Sequence, residues 1–487
     1  MSSKNSKNLK VLFASSETFP LIKTGGLADV SSSLPQALQA AGCDVRLIMP
    51  AYRQVLGQGQ WIILRHTLPG FEQPARILQG LLPGSSIPVW LVDIPALFDR
   101  DGGPYVNKEG HDWDDNAQRF ADFARVVADI ASKKLDLSWE ADVVHCNDWQ
   151  TGLVPALLSL EENPPPTIFT IHNLAYRGIY PTDTYYSLNL PEKLWQSGGI
   201  EFYGQASFLK AGLHYADHIT TVSPSYAEEI MTAEFGHGLE GLLSHRSEDV
   251  SGILNGADYN QWDPATDEFI GENYSLRSLT RKNANKRWLQ QHFKLSESAE
   301  TPLLGLVGRF AEQKGIDLIL DIMPQLLSAG VQIAVVGEGD KTLGQRWLDL
   351  QSSHPQQVGL FLGYSEKLAH CIEAGADMFL MPSRYEPCGL NQIYSLKYGT
   401  IPVVRETGGL ADTVVNMTAE TLASDEATGF SFKEVDAQAL LNTLLRAVEA
   451  YKTPEVWQRL MTNAMNQDFS WQKSATDYIT LYRALCK

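Results

Sequence analysis

The hexapeptide Thr-Gly-Gly-Leu-Ala-Asp occurs twice in this chain, at residues 24–29 and again at 407–412. Each copy follows an apolar run that is typical of a buried strand, and each precedes a run with helical spacing. Paired glycines at such a turn let the backbone approach a ligand closely, and the free N–H groups of the helix start favour an anion. One copy alone would be an ordinary tight turn. The identical pair predicts two α/β halves, each with an anion-binding loop, and Lys23 adds a cation to the first.

Short apolar runs alternate with longer helical patterns through most of the chain. The predicted strands are residues 11–14, 45–49, 88–92, 143–145, 167–172, 218–222, 303–307, 332–336, 360–362, 378–381 and 401–404. This alternation predicts an α/β protein built from βαβ units with parallel sheets. Because the polar stretch 244–252 breaks the rhythm, we predict domains at 1–246 and 247–469, followed by a C-terminal helix at 470–487.

The composition excludes several classes of protein. The chain has 487 residues, is 44% hydrophobic and carries a net charge of −18, which argues against a nucleic-acid or anionic-membrane partner. Its five cysteines are scattered and form no C-x-x-C pair, as suits a reducing compartment. Residues 1–10 lack the apolar stretch of a signal peptide, and no run approaches the ~20 apolar residues that span a bilayer. We therefore expect a cytoplasmic protein.

Two cations follow the predicted strand at 303–307. Arg309 comes directly after Gly308, and Lys314 lies five residues further on, before a helix that opens near Gly315. Cations at a strand end beside a helix N-terminus can form a phosphate pocket, although Arg and Lys most often lie on a solvated surface. The position after a buried strand favours phosphate binding.

Polar residues also end three other predicted strands. Glu386, after the strand at 378–381, could bind a hydroxyl-rich ligand or do acid–base work, or it could be a carboxylate that favours a helix N-terminus. His172 and Asp148 end two strands of the first half, where a lone His is more often structural. Asp112 and Asp114 resemble the D-x-D metal motif of some sugar transferases. They precede a predicted helix at 117–133, however, whose first turn acidic residues would cap, so we expect no metal site.

Taken together, these motifs resemble those of the bacterial glycogen synthases and plant starch synthases. The resemblance rests on residues 23–30, 308–309 with 313–315, 386–390 and 404–413, in the family's order. It implies two Rossmann-like domains that face each other across a deep cleft (the GT-B architecture), with a C-terminal helix that returns to the first. It also implies a retaining, metal-independent glycosyltransferase without a cofactor. The enzyme would transfer glucose from ADP-glucose to the non-reducing end of an α-1,4-glucan and release ADP.

The resemblance assigns one group of residues to the nucleotide part of the donor. Lys23 with Gly25 and Gly26 would approach the phosphates, and Arg309 with Lys314 would clamp the pyrophosphate. An aromatic residue that stacks on the adenine completes this group, and it matches Tyr364.

A second group is assigned to the donor glucose. Glu386 would hold its hydroxyls, His172 would lie near the reacting face, and Asp148 and Asn255 would contact the sugar. The other residues of this ADP-glucose site are Cys388, Gly389 and Leu390. The implied catalytic set is Glu386, Arg309, Lys314, His172 and Asp148.

The chain departs from the family pattern at three places, with Asn391 where Thr is common and Asn147 and Gln150 where His is common. Three alternatives remain. A UDP-glucose-dependent glucosyltransferase would share the motifs, and a non-catalytic glucan-binding protein would need only aromatic platforms. A nicotinamide-dependent oxidoreductase would require G-x-G-x-x-G after the first strand, which the loop at 14–26 does not fit.

Overall fold

The computed structural model describes residues 8–71, 74–135, 137–196 and 199–487. The first seven residues of the predicted polar N-terminal segment therefore lie outside the described residues. The chain forms two compact units. One comprises Met1–Gly256 together with Trp471–Lys487, and the other comprises Ala257–Ser470.

The first unit is built on a mainly parallel sheet with the strand order β12-β11-β7-β6-β1-β2-β5-β4-β3. Strands β3 and β4 form an antiparallel edge, and β8, β9 and β10 form a small separate antiparallel sheet. The described strands of this unit are β1 Lys10–Ala14, β2 Asp44–Pro50, β3 Ile62–Arg65, β4 Arg76–Leu81, β5 Pro88–Asp93, β6 Val143–Asn147, β7 Thr167–Ile171, β8 Ile179–Pro181, β9 Glu201–Phe202, β10 Gln205–Ser207, β11 His218–Thr221 and β12 Val250–Gly252.

Helices connect these strands. They are α1 Gly26–Ala40, α2 Arg53–Leu56, α3 Pro95–Phe98, α4 Asn116–Ala131, α5 Leu153–Leu158, α6 Thr182–Ser187, α7 Glu192–Gln196, α8 Phe208–Tyr215, α9 Pro224–Glu229 and α10 Glu240–His245. The central strands β1, β6 and β7 are largely buried because helices cover both faces of a parallel sheet, and β1 is fully buried from Val11 to Ala14.

The second unit is built on a parallel sheet with the order β15-β14-β13-β16-β17-β18. Its strands are β13 Leu303–Phe310, β14 Gln332–Gly339, β15 Val358–Leu362, β16 Met378–Met381, β17 Ile401–Arg405 and β18 Phe430–Phe432. Its helices are α11 Lys282–His292, α12 Ile316–Ser328, α13 Lys341–Ser353, α14 Glu366–Gly375, α15 Asn391–Tyr398, α16 Gly408–Thr413, α17 Ala419–Ala423, α18 Ala437–Tyr451 and α19 Pro454–Met465.

The last helix, α20 Trp471–Leu485, belongs to the first unit, where it packs against α1. Its Tyr482 hydroxyl lies 2.7 Å from Nδ1 of His145, a fully buried residue on β6. The chain divides after Gly256, later than the predicted boundary at 246. The reason is that Val250–Gly252, which reads as a polar linker, adds a parallel edge strand beside β11.

Both parallel sheets reverse their strand order at one point. In the second unit the order reverses between β13 and β16, and in the first unit it reverses between β1 and β6. The connections that follow the two strands at such a point lie on opposite faces of the sheet. This opens a crevice at the carboxyl ends of the strands, where α/β proteins bind ligands.

No helix among the described residues is long and apolar enough to cross a membrane.

Candidate functional site

In the second unit, the two loops at the reversal point are bonded to each other. The loop after β13 carries residues 311–315, and the loop after β16 carries residues 382–390. The backbone N–H of Arg384 donates to the carbonyl of Gln313 at 2.8 Å, and the Gln313 amide donates to the carbonyl of Tyr385 at 3.2 Å. Gly315 has a φ of 64°, and a Cβ there would overlap the carbonyl of Pro382. The glycine is therefore required for the two loops to meet.

Lys314 and Glu386 form the centre of this junction. The Lys314 ammonium donates to Oε2 of Glu386 at 2.5 Å, and the Ser383 hydroxyl donates to the same oxygen at 2.9 Å. The Glu386 side chain is 8% exposed and that of Lys314 is 26% exposed. A nearly buried carboxylate needs such a partner because an uncompensated charge is costly away from water. Both predicted residues thus lie in one site, in direct contact.

Two arginines brace the loop that carries Glu386. Arg384 makes a bidentate pair with Asp317 in the first turn of α12, at 2.8 and 2.6 Å. Arg405, buried at the end of β17, donates to the carbonyls of Ser383 and Arg384. Their planar guanidinium groups each bind more than one acceptor, so the loop is held from two sides.

The second Thr-Gly-Gly copy packs beneath the same loop. A Cβ on Gly409 would lie 2.6 Å from Cα of Cys388, and one on Gly408 would overlap the carbonyl of Glu386. The N–H of Gly409 donates to the carbonyls of Glu386 and Pro387. The prediction of a second anion-binding loop is therefore wrong for this copy, because its glycines are buried against protein backbone.

Cys388, Gly389 and Leu390 lead directly into α15. Cys388 is buried, and Gly389 adopts a φ of 71°. The fully buried Gln392 amide donates to the carbonyls of both residues, at 2.9 and 3.0 Å. Asn391, one of the departures from the family pattern, donates to the carbonyl of Val307 at 3.0 Å and so ties the start of α15 to β13.

Arg309 and Tyr364 lie at the carboxyl ends of β13 and β15, two strands of the sheet in the second unit. Arg309 lies on β13 opposite Glu338 and is exposed, and its guanidinium makes no hydrogen bond or ion pair with any described residue. Tyr364 follows β15 and is 65% exposed, with its hydroxyl bonded to Glu366. A core role for this tyrosine is excluded by its exposure, and its ring face is accessible.

In the first unit, the loop after β1 is shaped by Glu17. Its nearly buried carboxylate accepts hydrogen bonds from the N–H and hydroxyl of Thr24, at 2.6 and 2.8 Å, and from the hydroxyl of Tyr105 at 2.8 Å. Burial raises the pKa of Glu17, and these bonds oppose the rise. Lys23 is partly exposed and pairs with Asp29 at 2.8 Å.

Gly25 and Gly26 lie at the exposed start of α1. A Cβ at either position would meet nothing within 4 Å, and neither has a positive φ. Neither the packing nor the backbone of this unit therefore requires glycine here, in contrast to the second copy.

Asp148 follows β6, the strand next to β1. Its backbone has a φ of 56° and ψ of 178°, a strained combination for a residue with a side chain. The conformation is held by its N–H, which donates to the carbonyl of Thr170, and by its Oδ1, which accepts from the N–H of His172 at 2.7 Å. Burial raises the pKa of Asp148 to about 7, and backbone N–H groups of His172 and Asn173 oppose that rise.

His172 follows β7 and is half-buried. Burial lowers the pKa of His172 to about 3, so the ring is neutral at physiological pH. Its Nε2 lies 3.0 Å from Oδ1 of Asn147, the last residue of β6. Asp148 and His172 are therefore held together by the sheet, as two neighbouring strand ends predict.

Asn255 lies beyond β12 in the same unit and is buried, with its N–H bonded to the carbonyl of Val222. Its side-chain Oδ1 has no hydrogen-bond partner among the described residues. Gln150 is another residue that departs from the family pattern. Its Oε1 is also buried and has no hydrogen-bond partner among the described residues. Buried polar atoms without partners are uncommon in folded proteins, and a bound ligand or water can supply the missing hydrogen bond.

Asp112 and Asp114 are exposed and do not cap a helix. Helix α4 begins after Asp115, which makes no capping bond and instead pairs with Arg100 at 2.5 Å. The capping explanation for the D-x-D is therefore wrong. Within the described residues, no group of three or more His, Cys, Asp or Glu side chains is placed to hold a metal ion.

Sequence reasoning missed several residues that shape these sites, namely Glu17, Tyr105, Ser383, Arg384, Arg405 and Gln392. Ser383 and Arg384 carried a signal because they lie in the same loop as Glu386, and Arg405 because it lies in the motif at 404–413. Gln392 acts on residues three and four positions away, whereas Tyr105 reaches Glu17 across 88 residues, a contact that only the fold brings about.

Comparison with known proteins gives consistent matches over the whole chain. Residues 10–245 match the family described as Starch synthase catalytic domain, and residues 289–463 match Glycosyl transferases group 1. The chain is 54% identical over 98% of its length to the whole of a glycogen synthase from Thioalkalivibrio sulfidiphilus. It is 51% identical over 98% of its length to 96% of glycogen synthase 1 from Methylococcus capsulatus.

Solved structures give the same result. The catalytic domain of starch synthase IV from Arabidopsis thaliana, solved with ADP and acarbose, is 31% identical with a TM-score of 0.87, covering 99% of this chain and 100% of that one. A sucrose-phosphate synthase from Thermosynechococcus elongatus is 19% identical with a TM-score of 0.60 over 98% of this chain and 99% of that one, and shares the fold.

Proposed function

Since the chain belongs to the glycogen synthase and starch synthase family and is a glycosyltransferase, we propose that it transfers glucose from ADP-glucose to the non-reducing end of an α-1,4-glucan. The reaction would release ADP and retain the configuration at the anomeric carbon. The observation that carries this proposal is the bonded pair Lys314–Glu386 at the strand-order reversal of the second unit. It puts a cation for a phosphate and an acceptor for a hydroxyl side by side.

The diphosphate would bind near Arg309 and Lys314. Cleavage of the glucosyl–phosphate bond leaves negative charge on ADP, and fixed cations stabilise that charge without any reorganisation during the reaction. Arg309 is exposed and unpaired within the described residues, so its guanidinium is available for a bidentate phosphate contact. In the first unit, Lys23 and the open helix start at Gly26 are a cation and a backbone turn of the kind that binds phosphate.

The donor glucose would be held by hydrogen-bond acceptors. Both described bonds to Glu386 end on Oε2, which leaves Oε1 to accept from a sugar hydroxyl. In the first unit, the unpartnered Oδ1 of Asn255 is a second acceptor. Asp148 and the neutral His172 would contact the sugar near its reacting face.

Among mechanisms that retain the configuration, the contacts of two buried carboxylates of the first unit disfavour a double displacement. A double displacement would need a free carboxylate nucleophile, as in retaining hydrolases. Glu17 is occupied by Thr24 and Tyr105, and Asp148 by backbone N–H groups. We therefore favour attack on the face from which ADP departs, with a phosphate oxygen that takes the acceptor's proton.

The adenine would stack on Tyr364, whose ring is exposed. Base stacking on an aromatic side chain contributes ~1–3 kcal/mol but tolerates any base. Support for adenine itself comes from the starch synthase IV structure, which was solved with ADP. We further propose that no metal takes part, because the cationic side chains of Arg309 and Lys314 could compensate the charge of the leaving group.

The test is transfer of labelled glucose to glycogen, with ADP-glucose and UDP-glucose as alternative donors. We expect incorporation and ADP release that require glycogen, with a higher kcat/KM for ADP-glucose. Equal values or a preference for UDP-glucose would reject the donor and leave glucosyl transfer intact. No incorporation from any nucleotide glucose would reject the proposed function.

A further inference from the structure

Asn147 is fully buried at the end of β6, and both ends of its amide are bonded. One end lies 3.0 Å from the carbonyl oxygen of Ala14 on β1, and the other lies 3.0 Å from Nε2 of His172. A backbone carbonyl can only accept a hydrogen bond, so the end that faces Ala14 must be the NH₂ group. The end that faces His172 is therefore the amide oxygen, which can only accept.

This geometry fixes the position of the ring proton. Because the Asn147 oxygen accepts, Nε2 of His172 must carry the hydrogen, and Nδ1 of the neutral ring must carry the lone pair. Nδ1 makes no hydrogen bond to any described residue. We propose that Asn147 is a positioning residue, which selects the Nε2–H tautomer of His172 and so makes Nδ1 an acceptor for a hydroxyl of the bound substrate.

The inference rests on the proposed function only for the identity of that hydroxyl, which would belong to a sugar. The tautomer itself follows from the strand order, in which β6 lies between β1 and β7. Asn147 at the end of β6 therefore contacts Ala14 on β1 and His172, which follows β7. Two titratable groups on β6 and its connection lie near His172, namely His145, which interacts electrostatically with the ring, and Asp148, whose carboxyl accepts from the His172 backbone N–H. His145 is itself held neutral by burial, which lowers its pKa to about 3.

The direct test is ¹⁵N NMR of the histidine ring nitrogens in the full-length protein, with the His172 signals identified by their loss in His172→Gln. We expect a protonated Nε2 and an unprotonated Nδ1 in the wild type at neutral pH. A protonated Nδ1 would overturn the proposal, whatever the activity.

Two variants test the role of Asn147. Asn147→Leu removes the acceptor, and we expect a mixture of tautomers and a kcat lowered about two- to tenfold, the bias that one hydrogen bond imposes, with little change in KM. Asn147→Asp keeps an acceptor toward Nε2, so the tautomer should persist while the added charge raises the pH at which the ring titrates. An unchanged tautomer in Asn147→Leu would overturn the proposal.

Thr170→Val is the matched control. Thr170 lies on β7 and bonds His145 and Thr220, at 2.6 Å each, so its loss also removes buried hydrogen bonds near the site. We expect the His172 tautomer to stay as in the wild type. An equal shift in this control would show that any loss of packing changes the ring, and would overturn a specific role for Asn147. A correct tautomer without glucosyl transfer would instead reject the proposed function alone.

Discussion

The two Thr-Gly-Gly copies offer one substitution with opposite expected results. Gly26 and Gly409 are the second glycines of identical hexapeptides. An added Cβ on Gly26 meets nothing within 4 Å, whereas on Gly409 it lies 2.6 Å from Cα of Cys388. Gly26→Ala should therefore weaken the interaction with the ligand, and Gly409→Ala should lower the stability of the fold.

The magnitudes follow from these contacts. Gly26 begins α1, where alanine is accommodated without strain, so we expect Gly26→Ala to leave the unfolding free energy unchanged or to raise it by about 0.4–1 kcal/mol. Its methyl group would keep a phosphate away from the N–H groups of the helix start. Loss of one such stabilising contact costs about 10²-fold in kcat/KM for ADP-glucose, or about 2.7 kcal/mol. Gly409→Ala must displace backbone, which costs roughly 1–3 kcal/mol or more of stability.

The assay combines calorimetry with donor kinetics at saturating glycogen. Calorimetry is suitable because a chain with two units need not unfold in one step. The reasoning is refuted if Gly26→Ala retains a kcat/KM within a few-fold of wild type, since a ligand would then not approach these glycines. It is equally refuted if Gly409→Ala unfolds at the wild-type temperature.

The remaining predictions concern charge, nucleotide, metal and pH. Arg309→Ala or Lys314→Ala, measured by glucose transfer with folding checked by circular dichroism, should each lose about 10²–10³ in kcat. Tyr364→Ala should raise the KM for ADP-glucose more than it lowers kcat, because stacking is present in both ground and transition states. Activity should survive exhaustive chelation, and loss that Mg²⁺ or Mn²⁺ restores would contradict this. The pKa of Asp148 is higher in the folded state, at about 7, than the ordinary 3.8, so the native state binds more protons between those pH values. The contribution of Asp148 to the unfolding free energy should therefore fall as pH rises through this window, opposite in sign to that of His145 and His172, whose pKa values are lowered to about 3. The difference in unfolding free energy between the wild type and Asp148→Asn in denaturant titrations should accordingly change in favour of the variant as pH rises.

The buried parallel strands could be predicted most directly where they are continuous apolar runs. The predicted strand at 378–381 coincides with β16, and the one at 11–14 lies within β1. The exposed edge could not be predicted in the same way. Ile62 on β3 is 64% exposed, and this strand pairs with β4 through backbone bonds that leave no apolar pattern.

The sequence predicted which residues lie at the strand ends that form the candidate site. It did not predict which of these residues contact one another. Lys314 and Glu386 were expected to bind different parts of a donor, and their direct pairing depends on β13 and β16 being neighbours. Identical hexapeptides were expected to act alike. They differ because the sequence does not say what packs against a glycine, and only Gly408 and Gly409 lie against another loop.

Under the proposed function, the Lys314–Glu386 pair would link recognition of the donor's diphosphate to recognition of its glucose. A diphosphate that attracts Lys314 would weaken the compensation of the Glu386 carboxylate, which is only 8% exposed and keeps Ser383 as its other described partner. A sugar hydroxyl that donates to Glu386 would restore that compensation. Nucleotide and glucose would then stabilise each other's binding, because neither part alone satisfies both members of the pair. Under the proposed function, this arrangement would favour the intact nucleotide sugar over its fragments, and ADP would leave more easily once the glucose has been transferred.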